Sequence, residues 1–406
     1  MDPRGAGRVR PGLRPHLHLR PPRPGHPRPQ GRRGSLRRTA GRPQEVQDPQ
    51  DGTRLLSDAL SQTLKRKALT FGADAVGVCP AALPAEVEGG PEAFERWLKA
   101  ERHGGLRGLK ESAAVRSDIR RWHPEARSVL MLAFSYPAGS LRNAPSEGPR
   151  GRLARYSVVQ EYHDEIRGRL KRLLAWFTTE AAPGSSGRLF VDTSPVLERL
   201  YARLAGLGWA GKNAVLLSER LGSYLFLGGL SVDRELAPDA PAQDGCGDCA
   251  LCLEACPVSA FAGPRVLDAG RCIACWTIER SREPVPEALR ERFGDRLFGC
   301  DACQEVCPRN AGTKPPCAVF ERRLPLSVPL ESLLSAGPGE FKERFRGTPV
   351  LRAGWEGLLR SALLAAGNAG DPRLRPAVEA LTSHPDPVVS EQARWSLARL
   401  PRAPRL

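Results

Sequence analysis

The chain has 406 residues and a formal net charge of +16 at pH 7. That length is too great for one ordinary domain and suits two or three, each with a core of its own. No stretch approaches the ~18 consecutive apolar residues of a membrane-spanning helix, and the longest runs, "SVLMLAF" and "YLFLGGL", are strand-sized, so a soluble, cytoplasmic protein is expected.

More than half of the charge is local. The first fifty residues hold twelve Arg against Asp2, Glu45 and Asp48, a net of 12 − 3 = +9. The same stretch has ten Pro, seven Gly and no apolar period. It cannot bury enough surface to offset its ordering entropy, so residues 1–50 are expected to be a disordered basic tail. Three origins compete for it: a flexible arm touching RNA, a transit peptide, or translated sequence upstream of the true start. The prolines oppose the amphipathic helix of a transit peptide, and the compositional break near residue 50 favours upstream translation. The remaining +7 serves solubility or a polyanionic partner.

Residues 51–240 alternate helix-like and strand-like pieces. "LLSDALSQTLKRKALTFG" carries apolar residues at helical spacing and stops on Gly72, and "ADAVGVCP" then reads as a buried strand. "ARSVLMLAFSYP" and "GRLFVDTSP" repeat the strand signature around the amphipathic "EYHDEIRGRLKRLLAWFTTE". The class expected is α/β. Residues 241–323 are short, glycine- and cysteine-punctuated, and have little apolar periodicity, as in a segment that folds around what it ligates. Residues 324–406 turn all-helical, and "HPDPVVSEQARWSLARL" has the look of half a HEAT repeat.

Nine of the eleven cysteines fall between Cys246 and Cys307, in a long chain where a metal centre explains them better than disulfides. Cys246-x2-Cys249-x2-Cys252-x3-Cys256-Pro257 has the spacing of bacterial two-cluster ferredoxins, in which three thiolates hold one 4Fe–4S cube and the fourth reaches the other. Cys300-x2-Cys303-x3-Cys307-Pro308 is one ligand short. Two cubes need eight thiolates, so Cys272 or Cys275 supplies the last. Zinc ribbons also pair CxxC units, but they require neither the third Cys nor the terminal Pro. Cys79 and Cys317 stand outside the pattern and read as plain thiols.

Val191–Leu230, "VDTSPVLERLYARLAGLGWAGKNAVLLSERLGSYLFLGGL", together with "FGCDACQEVCPRN", resembles the epoxyqueuosine reductases, a family of cobalamin-dependent iron–sulfur enzymes of tRNA modification. "HGGLRGL", "RYSVVQEYHDEI" and "FRGTPVLRAGWEGLLRSALLAAGN" extend the likeness from about residue 53 to the C-terminus. The resemblance implies a cobalamin-binding α/β domain, a ferredoxin-like domain with two 4Fe–4S clusters, and a HEAT-like helical domain. It implies reduction of epoxyqueuosine to queuosine at the wobble position of tRNAs with GUN-type anticodons, by a monomer fed by an external flavodoxin- or ferredoxin-type donor. One cluster would use Cys246, Cys249, Cys252 and Cys307, and the other Cys256, Cys272, Cys300 and Cys303. Arg116, Tyr156, Asp192, Lys212, Ser223, Ser231 and Asp301 fall where family motifs approach the corrin.

The family's proton donor is the Asp of "DTSP", here Asp192. An epoxide oxygen leaves poorly until protonated, and a positioned carboxylic acid can supply the proton, provided burial or weak solvation holds Asp192 protonated until substrate arrives. Asp-Thr-Ser-Pro is equally good turn chemistry. Lys212, in the glycine-rich "GLGWAGKN", suits a phosphate or corrin side chain, or plain solvent. Ten arginines between Arg344 and Arg405, Arg360 among them, fit a tRNA platform or a solvated helix face. Two rivals to the enzyme remain: a non-catalytic iron–sulfur electron carrier, which needs no corrinoid, and a reductive dehalogenase-like cobalamin enzyme, whose relatives carry an export signal and lack the helical end.

Overall fold

All eight residues of the strand Ser128–Ser135 are buried, because helices cover both faces of the sheet to which it belongs. In this computed structural model, which describes residues 49–137, 148–311 and 319–402, four strands lie in the order Ala75–Pro80, Ser128–Ser135, Leu225–Val232, Gly187–Phe190. Leu130, Leu132 and Phe134 pack with Leu64, Ile166 and Leu170 from the helices Pro49–Thr70 and Tyr162–Trp176. Val129, Met131 and Ala133 pack on the opposite face with Leu200, Tyr201 and Leu204 of the helix Glu198–Leu204. The expected alternation of helix and strand is present, yet every pairing in this sheet is antiparallel. Burial on both faces selects continuous apolar strands whichever way they run, so such runs do not distinguish a parallel sheet from this one.

The tail expected over residues 1–50 lies outside the described residues except for its last two, which open the helix Pro49–Thr70. Cys317 is also outside them. Asp48–Leu406 is one compact unit. The strand Arg150–Leu153 helps to knit it, pairing in parallel with Arg296–Phe298 and antiparallel with Ser327–Pro329. The cysteine-rich stretch between has short helices, Leu251–Glu254 and Ala302–Glu305, and a small apolar core around Val258, Ile273, Trp276 and Phe293. Leu364 joins that core from the central C-terminal helix, Gly354–Ala369. The helix Pro387–Arg399 packs on the same central helix, and the aspartate of the Pro-Asp-Pro break, Asp386, caps it by accepting from the N–H groups of Val388 and Val389.

Arg360 stands apart from the other C-terminal arginines expected on an RNA platform or a solvated face. It is 1 % exposed and donates to the carbonyls of Trp276 (3.0 Å) and Glu283 (2.8 Å), tying the central helix to the cysteine-rich segment. A buried guanidinium serving buried carbonyls is structural, and amphipathic position alone could not reveal it. Arg360→Ala strands those acceptors without water, so urea denaturation should show a loss of about 3–5 kcal/mol. A loss below about 1 kcal/mol would mean that the carbonyls find other donors.

Candidate active site and cluster-binding segment

The thiols gather in two sets. Cys252 and Cys307 lie within electrostatic reach of Cys246 and Cys249, and Cys272 and Cys303 are likewise neighbours of Cys256 and Cys300. Each set therefore draws one cysteine from the far motif. Burial and mutual repulsion push Cys272 up to about 11 and raise Cys252, Cys303 and Cys307 as well. Thiols crowded in this way suit a cationic core that stabilises their thiolates. Among the described residues, no three His, Cys, Asp or Glu converge on a position for a single ion. Two sulfurs already have donors of the kind that tune cluster potentials: Trp209 Nε1 to Cys246 Sγ (3.3 Å) and Ala260 N to Cys256 Sγ (3.2 Å). Of the two candidates for the eighth place, Cys272 sits with the second set. Cys275 is buried beside it near Arg280, Glu279 and Glu283. Cys79 is a buried thiol against the carbonyl of Tyr201, pushed up to about 12 by burial.

Beside the second set opens a cavity of about 1320 Å³, above the ~300–1,000 Å³ of ordinary small-ligand pockets. Tyr136 and Phe226 from the sheet, Phe94 and Trp97 from the helix Pro91–Lys99, and Val266 and Leu267 from the cysteine-rich segment give it apolar walls. Size and lining fit a corrin. No histidine stands among the described residues that line it. Tyr156 lines it too and connects it to the thiols, since a Cβ added at Gly299, the neighbour of Cys300, would meet the Tyr156 ring at 3.2 Å.

Of the seven residues expected around a corrin, Arg116, Tyr156 and Asp192 line the cavity. Arg116 is fixed by Ser112 (2.9 Å), and burial lowers its pKa. The other four are elsewhere. Lys212 meets Arg265 through its backbone carbonyl. Ser223 is buried against Gln304 and Asn310. Ser231, fully buried, bonds the ring of His123 (2.8 Å). Asp301 pairs with Arg155 (3.1 Å) within the protein. The three buried ones, Ser223, Ser231 and Asp301, are satisfied by protein partners, which is the ordinary fate of a buried polar side chain.

Asp192 is both the turn residue and the cavity residue that its motif allowed. Its φ is +49°, and Thr193 N donates across it to Val191 O (2.6 Å), making a γ-turn of the rare positive-φ kind. Such strain persists where surroundings over-determine it. Here Glu198 Oε1 accepts the Asp192 N–H at 2.7 Å, while Tyr162 Oη (3.0 Å) and His163 Nε2 (2.9 Å) both reach Asp192 Oδ2. Arg352, from the C-terminal region, lies 3.9 Å from the same oxygen and pairs with Glu279.

These neighbours set the charge states. Burial raises the Asp192 carboxyl, but the hydrogen bond and charge of His163, with Tyr162 and Arg352, prevail and hold it below its usual range. Burial likewise opposes charge on His163, yet its bonds to Asp192 and Glu161 lift it to about 9. Asp192 thus rests as a carboxylate beside an imidazolium. The expectation that it waits in the protonated form is corrected: a cationic partner overrides burial. Glu198, pushed up to about 8 by burial and by Asp192, is the acid of this group that stays neutral. Sequence reading gave no site role to Glu161, His163, Glu198 or Arg352, although all four stand inside motifs it had marked.

A family model described as "Epoxyqueuosine reductase QueG, DUF1730" matches residues 116–193, and one described as "4Fe-4S double cluster binding domain" matches residues 245–310. The epoxyqueuosine reductase of Pseudomonas aeruginosa is 38 % identical over 350 residues, which is 84 % of this chain and 94 % of that protein. That of Escherichia coli K12 is 33 % identical over 345 residues, 84 % and 89 % of the two chains. A crystal structure of epoxyqueuosine reductase with an epoxyqueuosine-modified tRNA-Tyr stem loop superposes with a TM-score of 0.76 at 29 % identity, over 84 % of this chain and 90 % of that one. With relatives above 30 % identity matching along most of its length, the chain belongs to the epoxyqueuosine reductase family of oxidoreductases.

Proposed function

We propose that the protein reduces the epoxide of epoxyqueuosine, at the wobble position of GUN-anticodon tRNA, to the alkene of queuosine. The observation that carries this reading is a carboxylate on a strained turn, Asp192, in the wall of a corrin-sized cavity that adjoins the second of two thiol quartets. When bound, cobalamin and two 4Fe–4S clusters supply the two electrons, received one at a time from a flavodoxin- or ferredoxin-type donor. Cys246, Cys249, Cys252 and Cys307 would hold one cluster, and Cys256, Cys272, Cys300 and Cys303 the other. Arg116 and Tyr156 would hold the corrin, whose apolar walls exclude water from the reacting carbon.

The chain's own work is proton supply. Asp192 stands in the cavity wall, where it can hydrogen-bond an epoxide oxygen and protonate it as the C–O bond opens. Glu198 keeps the backbone of Asp192 in its left-handed turn. The parts would be a reductase region (51–240), a two-cluster region (241–323) and a HEAT-like tRNA platform (324–406), joined by shared cores in which Leu153, Leu297 and Leu363 pack together. A monomeric, cytoplasmic enzyme is the simplest form of this proposal. No helix among the described residues is long and apolar enough to cross a membrane.

Anaerobically reconstituted protein with cobalamin and a chemical reductant should convert an epoxyqueuosine-bearing stem loop to queuosine, read by nucleoside mass analysis. Corrinoid binding or stem-loop binding without product would instead assign electron transport alone. The eighth ligand has its own check. Cys272→Ala should remove about half of the reconstituted iron and Cys275→Ala none; the opposite pattern would exchange their roles.

A further inference from the structure

Two carboxylates enclose one imidazole beside the cavity. His163 Nδ1 lies 2.5 Å from Glu161 Oε1, and His163 Nε2 lies 2.9 Å from Asp192 Oδ2. A carboxylate oxygen only accepts, so both ring nitrogens donate, and only the imidazolium has two N–H groups. The ring is fixed from its face as well, stacked at 4.0 Å on Tyr162. Its side chain is 17 % exposed, against 46 % for Asp192. A proton is therefore parked one hydrogen bond behind the carboxylate that reaches the cavity.

We infer that His163 is the proton store of the active site, loading Asp192 for each transfer to the epoxide oxygen, and that Glu161 holds the imidazole in place for it. The inference rests on the function proposed above. Reduction of the epoxide consumes two electrons and two protons: two C–O bonds break, a C=C π bond and two O–H bonds form, and one water leaves. The electrons come from the external one-electron donor. One proton moves from His163 Nε2 to Asp192 Oδ2 and then to the epoxide oxygen. His163 becomes neutral and is recharged from solvent before the second proton follows the same route. His163 touches Asp192 and not the substrate, so it is a positioning residue.

The resting state explains why a store is needed. An Asp192 carboxylate, ionised as this one is, has no proton to give. The groups that face the pair are Glu161, Tyr162 and Tyr156 on one side, Arg352 with its partner Glu279 on another, and Glu198 behind the Asp192 amide with Arg116 and Arg199 within charge range of both carboxyls. Arg352 stabilises the carboxylate form, so the carboxylic acid is a transient species that passes its proton onward. Tyr162 donates to the same oxygen but its pKa is raised far above neutral, chiefly by burial, which makes it a poor acid at pH 7.

The test uses reconstituted, pre-reduced enzyme in single turnover across pH 5 to 10. The store is full below the His163 pKa and empties as pH rises through about 9, so the wild-type rate should hold to about that pH and then fall. In His163→Gln the proton must be taken up by Asp192 itself, with a carboxylate pKa near ~4. Its rate should fall with rising pH from the acid end, leaving a deficit of about 10²-fold or more at pH 7.5 that narrows to less than about tenfold near pH 5. A deficit equal at every pH would reduce His163 to a structural role and overturn the inference. A second readout is independent of turnover. NMR of holoenzyme carrying ¹³C-labelled histidine, with His163 assigned from the His163→Gln spectrum, should show its midpoint drop toward ~6.5 in Asp192→Asn. A wild-type His163 midpoint already near ~6.5 overturns the store as well. If wild type makes no queuosine at any pH, the proposed function fails, and the NMR titration still decides whether His163 holds the proton.

Discussion

Asp192→Asn should slow epoxyqueuosine reduction by about 10²- to 10⁴-fold, the usual worth of a positioned general acid, while leaving iron content and stem-loop affinity unchanged. Asparagine has the shape of aspartate and tolerates positive φ at least as well, so the turn at φ +49° survives, with Glu198 Oε1 still accepting its N–H. The amide oxygen can keep the bond from Tyr162. What disappears is the ability to take a proton from His163 and release it. Single-turnover conversion, followed by nucleoside analysis, measures the loss. A rate within about threefold of wild type would remove Asp192 from proton transfer, whatever its place in the cavity wall. Loss of stem-loop binding together with rate would point to a role in recognition.

The parts of this site that were legible in the sequence are those whose chemistry fixes spacing. Thiolates around an iron–sulfur cube come from a tight run of cysteines, so the crossing of Cys256 and Cys307 followed from spacing, while the choice of Cys272 over Cys275 was implied only by the family resemblance; Cys272 lies with Cys256, Cys300 and Cys303. Asp192 was marked through the family motif, since a strand ending in Asp-Thr-Ser-Pro reads by itself as plain turn chemistry. The proton partners left no such trace. His163 and Arg352 are 29 and 160 residues from Asp192, and a single His or Arg in a helical pattern carries no spacing signal. The one available hint was the closeness of Glu161 and His163 to each other at a helix start, where the Glu161 side chain caps the His163 N–H.

Other expectations depended on packing that spacing does not encode. Lys212, Ser223, Ser231 and Asp301 were placed at a corrin because polar residues in family-like motifs suggest ligands. Three are buried and spoken for by His123, Arg155 and Asn310, and Lys212 is not among the residues of the cavity wall. Arg360 was expected with the other C-terminal arginines on a tRNA platform or a solvated helix face, whereas the carbonyls that it serves come from a segment some eighty residues away. Strand direction was the third loss. An apolar run reports that both faces are covered, and nothing in "SVLMLAF" distinguishes a crossover from an antiparallel neighbour.

Cys256→Ala should reduce reconstituted iron from about eight to about four atoms per chain and abolish turnover, and the identity of the lost cluster is the informative part. Cys256 ends the first cysteine motif, yet it lies among Cys272, Cys300 and Cys303. If those four hold one cube, Cys256→Ala combined with Cys300→Ala removes nothing further, and about four irons remain. Combined with Cys246→Ala, it strips both cubes and leaves almost none. Ligation within each motif, without crossing, reverses the two results: Cys256 and Cys246 would then share a cube, and that pair would be the one retaining four irons. Iron analysis and the intensity of the reduced-cluster EPR signal distinguish the cases without any substrate. The loss of turnover follows from the same geometry. Tyr156 joins the cavity wall to the chain next to Cys300, so the cube held by the second quartet is the one placed to serve the cavity, and its removal interrupts electron supply even where the other cube is intact.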